Sequence, residues 1–127
     1  MAGTKLDGAG AAKMSALGES MTMLQKLHGL VEQYALALKR NQSTSVYGLQ
    51  IRRAATPLVG LLKPQFGLIS DHVVALNLIC GRGGNEQTKV RSLRESVASI
   101  RTQLEMAATK VKELHAVPID TAGDDAA

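Results

Sequence analysis

Apolar residues in the last third of the chain recur at alternating spacings of three and four residues. This spacing matches one face of an α-helix, and it is held without a break from residue 90 to residue 114. A seam of this length is typical of a long helix that lies along partner helices, as in a coiled coil. The seam positions are Val90, Leu93, Val97, Ile100, Leu104, Ala107, Val111 and Leu114.

A second amphipathic pattern predicts a first helix from about Ala12 to Arg40. Its seam has the same spacing, and a further apolar stripe widens the apolar arc of the helix. Two interpretations follow from so wide an arc. Either the helix packs between two others and buries every apolar side chain, or the extra stripe is exposed and marks a protein interface. The residues of this helix-one stripe are Met23, Leu27, Leu30 and Tyr34.

The apolar segment between these two helices predicts a middle helix that contains two prolines. Pro57 and Pro64 each lack a backbone donor and clash with the carbonyl four residues earlier, so we expect this helix to be kinked or split near Pro57–Pro64. The polar residues 41–45 separate it from the first helix. The glycine-rich residues 81–84 end it, because glycine accepts the left-handed conformation of a helix C-cap, and Asn85 then caps the last helix.

Together these elements predict an all-α protein, an up-down-up bundle of three long helices. Short connections make consecutive helices antiparallel. The apolar residues are mostly Leu, Ala, Val, Ile and Met with few aromatics, which favours packing of helix on helix. We expect one helical domain over residues 12–117, with a disordered head at 1–11 and a disordered acidic tail at 118–127.

Positive charge is in excess, with 15 Lys and Arg against 11 Asp and Glu. In an up-down-up bundle the first and third helices end at the pole where the second begins, and six basic residues would gather there. Cations in the last turn of a helix are explained by the helix dipole, but Arg52 and Arg53 lie near the start of theirs. This pole is either a solvated surface or a site for a polyanion such as nucleic acid. Its residues are Lys39, Arg40, Arg52, Arg53, Lys110 and Lys112.

Residues with catalytic or metal-binding chemistry form no recognisable site in the sequence. His28, His72 and His115 have no ligand spacing that a helix would bring together. Cys80, the only cysteine, lies on an apolar helix face, which predicts a buried and unreactive thiol. The glycines at 81–84 follow a helix and lack the lysine and hydroxyl residue of a nucleotide-binding loop. We therefore expect neither catalysis nor a cofactor nor a metal.

The function predicted from these patterns is a non-catalytic interaction or adaptor module that docks another protein and also associates with itself through the helix-one stripe. The first alternative is binding of nucleic acid or another polyanion at the Arg52 and Arg53 pole. The second is peripheral membrane binding through residues 57–66, which include Lys63. A single cysteine and the lack of a signal-peptide-like or membrane-spanning apolar run predict a cytoplasmic protein.

Overall fold

The computed structural model describes residues 4–118, which form four helices and one short pair of strands. The all-helical bundle predicted from the sequence is confirmed at this level, although the number of helices differs. Residues 1–3 of the predicted head and 119–127 of the predicted tail lie outside the described residues. The elements in chain order are β1 (Thr4–Leu6), α1 (Gly8–Lys39), α2 (Tyr47–Leu62), α3 (Gly67–Gly81), α4 (Glu86–His115) and β2 (Ala116–Pro118). Residues 4–11, predicted as part of a disordered head, instead form β1 and the start of α1, where the Asp7 side chain accepts the Gly10 N–H as an N-cap.

The segment predicted as one middle helix is two helices that fold back on each other. α2 continues through Pro57 and ends at Leu62, so only the second proline coincides with a break. Pro64 has no N–H to donate to the carbonyl four residues earlier, and the helix cannot continue regularly past it. The backbone of Phe66 leaves the helical region, with φ −134° and ψ 55°, while its N–H still bonds the Leu62 carbonyl at 2.7 Å. The break is therefore a reversal of the chain and not a bend in one rod.

This reversal changes the topology from up-down-up to up-down-up-down. The last helix, α4, runs antiparallel to α1, since Arg94 contacts Glu32 at one level and His115 contacts Asp7 at the other end. The predicted common pole for the ends of the first and last helices is therefore wrong. α1 ends where α4 begins, at an end of the molecule that we call the loop pole, formed by residues 40–46 and 82–85.

The helices differ twofold in length, and this divides the molecule into two regions. α1 has 32 residues and α4 has 30, whereas α2 has 16 and α3 has 15. At about 1.5 Å per residue, α2 and α3 are each only about half as long as α1 and α4, so the hairpin leaves one end of the long pair uncovered. We call residues 17–106 the four-helix section. The two-helix end comprises residues 8–16 of α1 and 107–115 of α4, and β1 and β2 pair antiparallel beyond it.

Nearly all of the hydrophobic core lies in the four-helix section. Every buried apolar side chain except Val111 belongs to it. The α4 seam predicted from the sequence is buried from Val90 to Leu104, but Leu114 is 71% exposed because the α2–α3 hairpin does not extend to that level. The largest fully buried side chains are Leu24, Leu27, Val31, Ile51, Leu58, Leu62, Val73, Leu76, Leu93, Val97, Ile100 and Leu104.

Candidate interaction surfaces

The helix-one stripe is part of the core. Leu27 is 0% exposed, Tyr34 is buried, and Met23 and Leu30 pack half-buried against the core. The reversal at Pro64 gives α1 two neighbours, α2 on one side and α4 on the other, so the wide apolar arc is covered. The prediction that this stripe is an exposed interface is therefore wrong, and the alternative of a helix packed between two others is the one observed.

An unpredicted apolar surface lies on the outside of α3. Ile69, Val73 and Leu76 face the core, but the opposite side of the helix is also apolar, with Leu68 80%, Val74 41% and Leu78 62% exposed. We call Leu68, Asp71, Val74, Ala75 and Leu78 the α3 outer face. At 100° per residue these positions share one side of the helix, away from the core. A helix that is hydrophobic all round is normally covered on every side.

Two exposed side chains at the start of α2 lie at the same end of the hairpin as Leu78. Val46 and Leu49 are both more than half exposed. A Cβ at Gly48 would lie 3.7 Å from the Cys80 carbonyl oxygen, which shows how closely the start of α2 approaches the end of α3. The exposed apolar side chains thus extend from the α3 outer face toward the loop pole.

The six basic residues predicted at one pole are separated in the structure. Lys110 and Lys112 belong to the two-helix end, because α4 ends beside the start of α1 and far from the end of α1 at Lys39. Lys39 and Arg40 lie at the loop pole, and Arg52 and Arg53 lie about two turns into α2, all four exposed. The prediction of one six-residue cluster is therefore wrong, since it depended on the up-down-up topology.

Positive charge nevertheless concentrates near the loop pole, through a partly different set of residues. The half of the molecule around this pole, residues 26–53 and 76–100, contains nine Lys and Arg against three Glu. The other half, residues 4–25, 54–75 and 101–118, contains six Lys and Arg against five Asp and Glu. Arg82 and Lys89 lie in the half around the loop pole, whereas Lys110 and Lys112 do not. Arg82 and Lys89 both line a cleft between the end of α3 and the start of α4.

A polar and aromatic cluster holds the loop pole together. The hydroxyls of Tyr34 and Thr44 both donate to Glu86 Oε1, at 2.9 and 2.7 Å, and the ring of Tyr47 stacks on that of Tyr34 with centroids 5.7 Å apart. The bonds from Thr44 and then Tyr34 lower the pKa of Glu86. Burial, followed by the bond to Glu86, raises the pKa of Tyr34 to about 12.

This cluster was not predicted from the sequence. The feature of the sequence that points toward this cluster is the position of Glu86. It directly follows the N-cap residue Asn85, where the helix dipole favours an acidic side chain. Nothing in the sequence places Tyr34 or Thr44 beside it, because the three residues come together only when α1, the following loop and α4 meet. The cluster joins the loop after α1 to the start of α4. The bonds to Glu86 come from Tyr34 and Thr44 of the same chain.

The histidines are separated, and one of them joins the start of α1 to the end of α4. His115 Nδ1 lies 3.1 Å from Asp7 Oδ1, and Lys13 Nζ donates to His115 Nε2 at 3.0 Å. The Gly10 N–H donates to Asp7, and this bond followed by that of His115 lowers the pKa of Asp7. His28 lies on the exposed side of α1 near Glu32, and His72 is exposed on α3. Within residues 4–118, no three His, Cys, Asp or Glu side chains are grouped so that they could hold a metal ion.

Two further sequence predictions concern the end of α3. Cys80 is buried, as predicted, and burial raises the pKa of its thiol, which disfavours the reactive thiolate. The glycines after it lie in the predicted break, but the predicted left-handed glycine cap is not observed, because the C-cap residue of α3 is Arg82, with φ −76° and ψ 143°. Among residues 4–118 the glycine with a positive φ is Gly84, at 104°, directly before the N-cap residue of α4.

In the segment predicted for membrane contact, the largest apolar side chain, that of Phe66, packs against the core. It is half-buried there, while Pro57 and Lys63 are exposed. Among the helices of the described residues, none combines the length and the apolar character that a bilayer crossing requires.

Comparisons of this chain with protein-family models, with curated proteins and with solved structures found no match.

Proposed function

We propose that this protein is a non-catalytic helical interaction module that docks another protein surface against the α3 outer face. The exposure of Leu68, Val74 and Leu78 on a helix whose other side is already in the core carries the proposal. Contiguous exposed apolar side chains on a soluble fold usually mark an interface. The proposed docking surface is therefore on α3, whereas the apolar pattern of the sequence predicted it on α1.

The packing beneath this face supports a docking role, because it fixes the position of the exposed side chains. Val73 and Leu76 are 0% exposed and hold α3 against the rest of the core. The outer side chains Val74 and Leu78 therefore project from a helix whose rotation is set. A preformed surface of this kind binds without the cost of ordering a flexible segment.

The test is quantitative capture of binding partners by the tagged full-length chain from the cells that produce it. The test variant replaces Val74 and Leu78 with Ser, and the matched control replaces Met106 and Leu114 of α4, which are 66% and 71% exposed, with Ser. We expect captured proteins, including untagged copies of the same chain, to be lost with V74S/L78S and retained with the control. Circular dichroism establishes that both variants fold. Equal capture by the folded V74S/L78S variant would refute the proposal.

Binding of a polyanion at the loop pole is the second candidate, favoured by the charge difference between the two halves. Arg52 and Arg53 remain exposed there, and Arg82 and Lys89 add to them. Phosphate contacts make such binding strongly dependent on salt.

Fluorescence anisotropy with a labelled single-stranded oligonucleotide, measured over a series of salt concentrations, tests the second candidate. The variant R52E/R53E should weaken binding and flatten the dependence of log K on log salt, whereas K110E/K112E, with the same change in net charge, should have a smaller effect. An equal loss in the two variants would show that only the overall charge matters and would exclude a site at the loop pole.

A further inference from the structure

Two opposite charges flank the segment Val74–Leu78 of the α3 outer face, with Asp71 inside the face and Arg82 just beyond it. Asp71 lies one turn before Val74 and Ala75, Leu78 follows one turn later, and Arg82 directly follows the last turn. At 100° per residue these positions stay within one side of the helix. Asp71 and Arg82 are both exposed, and neither forms an ion pair within residues 4–118. The line of residues is therefore acidic, then apolar, then basic.

Such a line is complementary to itself when one copy is turned end for end. We infer that the occupant of the α3 outer face is a second copy of this chain, with the two α3 helices antiparallel and related by a twofold axis near residues 76–77. In this register Asp71 of each copy lies opposite Arg82 of the other, and Ala75 lies opposite Leu78. The inference rests on the proposed function and names the partner that the face accepts.

The spacing of the two charges fits this arrangement. Eleven residues separate Asp71 from Arg82, which is about 16 Å along a helix. A twofold axis midway between them pairs both charges at once, so that an isologous contact forms two ion pairs from one acid and one base in each copy. The small side chain of Ala75 allows the two helices to approach closely opposite Leu78.

The charge distribution of the whole molecule also favours the antiparallel arrangement. The half around the loop pole contains nine Lys and Arg and three Glu. The other half contains six Lys and Arg and five Asp and Glu. A parallel pair would place the two basic halves side by side, and like charges facing each other oppose association. The antiparallel pair places each basic half beside the nearly neutral half of the other copy.

The expected dimer is weak, because contact through one helix from each copy lies at the small end of specific interfaces. We expect a dissociation constant on the order of 10 μM, which is typical of a transient association. Sedimentation equilibrium of the purified full-length chain between micromolar and millimolar concentrations measures it. The variant Leu78→Asp should remain monomeric throughout this range.

Charge reversal tests the register of the two helices. Asp71→Arg and Arg82→Asp should each raise the dissociation constant of the dimer about tenfold. Each change places like charges opposite each other at both symmetry-related positions. The double variant D71R/R82D restores both pairs in exchanged positions and should return the dissociation constant to within about threefold of the original. Glu105→Arg, an exposed charge reversal on α4, is the control and should leave association unchanged.

Several results would overturn the inference. These are a chain that stays monomeric at millimolar concentration, a dimer that Leu78→Asp does not affect, and a double reversal that fails to restore association. Circular dichroism and thermal unfolding establish that each variant folds. If the chain is monomeric while V74S/L78S still loses captured proteins in the cell, the second copy is excluded and the proposed function stands. If that variant loses nothing in the cell, the proposed function fails as well.

Discussion

The four-helix section and the two-helix end contain the same two long helices, yet they are held together by different forces. In the four-helix section, α1 and α4 enclose apolar side chains together with the α2–α3 hairpin, and nearly the whole core is there. In the two-helix end only Val111 and Gly10 are buried, and the helices meet through the pair of Asp7 and His115 and the short strands. Two helices alone leave most of their surface in water.

The comparison shows that an apolar seam stabilises a helix pair only where other elements cover it. Stability is not uniform along such a molecule. Local opening costs little free energy in regions that have few buried apolar contacts. We therefore expect the two-helix end to open locally while the four-helix section unfolds only globally. Five predictions test this difference, and the four that concern substitutions run from the largest expected effect on the free energy of unfolding to the smallest.

Leu58→Ala should be the most destabilising change, because it leaves a cavity in the four-helix section. Leu58 is 0% exposed, and truncation of a buried leucine costs about 2–5 kcal/mol. Leu114→Ala, the same truncation in the two-helix end, should change the free energy of unfolding by less than about 0.5 kcal/mol. Urea unfolding measures both. Similar losses at the two positions would show that the regions do not differ in the way described.

Tyr34→Phe should lower the free energy of unfolding by about 1–2 kcal/mol, because it deletes a partly buried hydrogen bond to a carboxylate. The folded-state pKa of Tyr34 is raised from 10.0 to about 12, so its contribution is complete below pH 10 and is lost as the pH rises toward 12. The stability difference between wild type and variant should therefore shrink between pH 10 and pH 12. Urea unfolding at pH 8 and pH 11 tests this, with Tyr47→Phe, which keeps the bond to Glu86, as control.

Arg94→Gln should cost no more than about 0.5 kcal/mol, although its contact with Glu32 is bidentate, with both bonds at 2.8 Å. The pair is half exposed and therefore screened by solvent and salt. The loss should fall further in 0.5 M salt, measured by urea unfolding beside Arg91→Gln, a change at an exposed position nearby. A decrease in the free energy of unfolding of more than about 2 kcal/mol would show that this ion pair, and not only apolar packing, stabilises the four-helix section.

His115→Ala should change the global free energy of unfolding least, within about 0.3 kcal/mol, while it opens the two-helix end. The amides of Asp7 and Gly10, which bond the His115 carbonyl and the Asp7 carboxylate, should exchange with solvent at least about tenfold faster. Hydrogen exchange measures this, with His72→Ala as control. Unchanged exchange at both amides would show that the side chain of His115 does not hold this end.

Acid should have the same local effect on the two-helix end. The pKa of Asp7 is lowered in the folded state, so its contribution is present above the ordinary pKa of an aspartate and is lost as the pH falls through the lowered value. Exchange at Gly10 in the wild-type chain should therefore rise below about pH 4, relative to exchange at amides of the four-helix section.

Much of α4 could be predicted from the sequence, because its information is local. The seam predicted the buried residues from Val90 to Leu104, and the Asn85 side chain accepts the Thr88 N–H, as expected of an N-cap. Leu114 follows the same pattern and is nevertheless exposed. Periodicity shows which face of a helix is apolar, but it contains no information on where the covering helices end.

The surfaces could not be predicted in the same way. The helix-one stripe and the α3 outer face are both apolar stripes on helices with a second apolar face, and the sequence does not distinguish them. The reversal at Pro64 decided which was buried, since it placed α2 against α1 and left one side of α3 unpartnered among residues 4–118.

By itself the sequence determined the helical class, the length of the outer helices and the positions of the breaks, because spacing, caps, glycines and prolines act within a few residues. The tertiary structure alone decided the direction of the chain after Pro64. From that direction follow the antiparallel pairing of α1 with α4, the separation of the six basic residues, the cluster around Glu86 and the exposure of α3. The physical reason is that a proline ends a helix locally, whereas the direction taken next depends on which distant apolar faces bury each other.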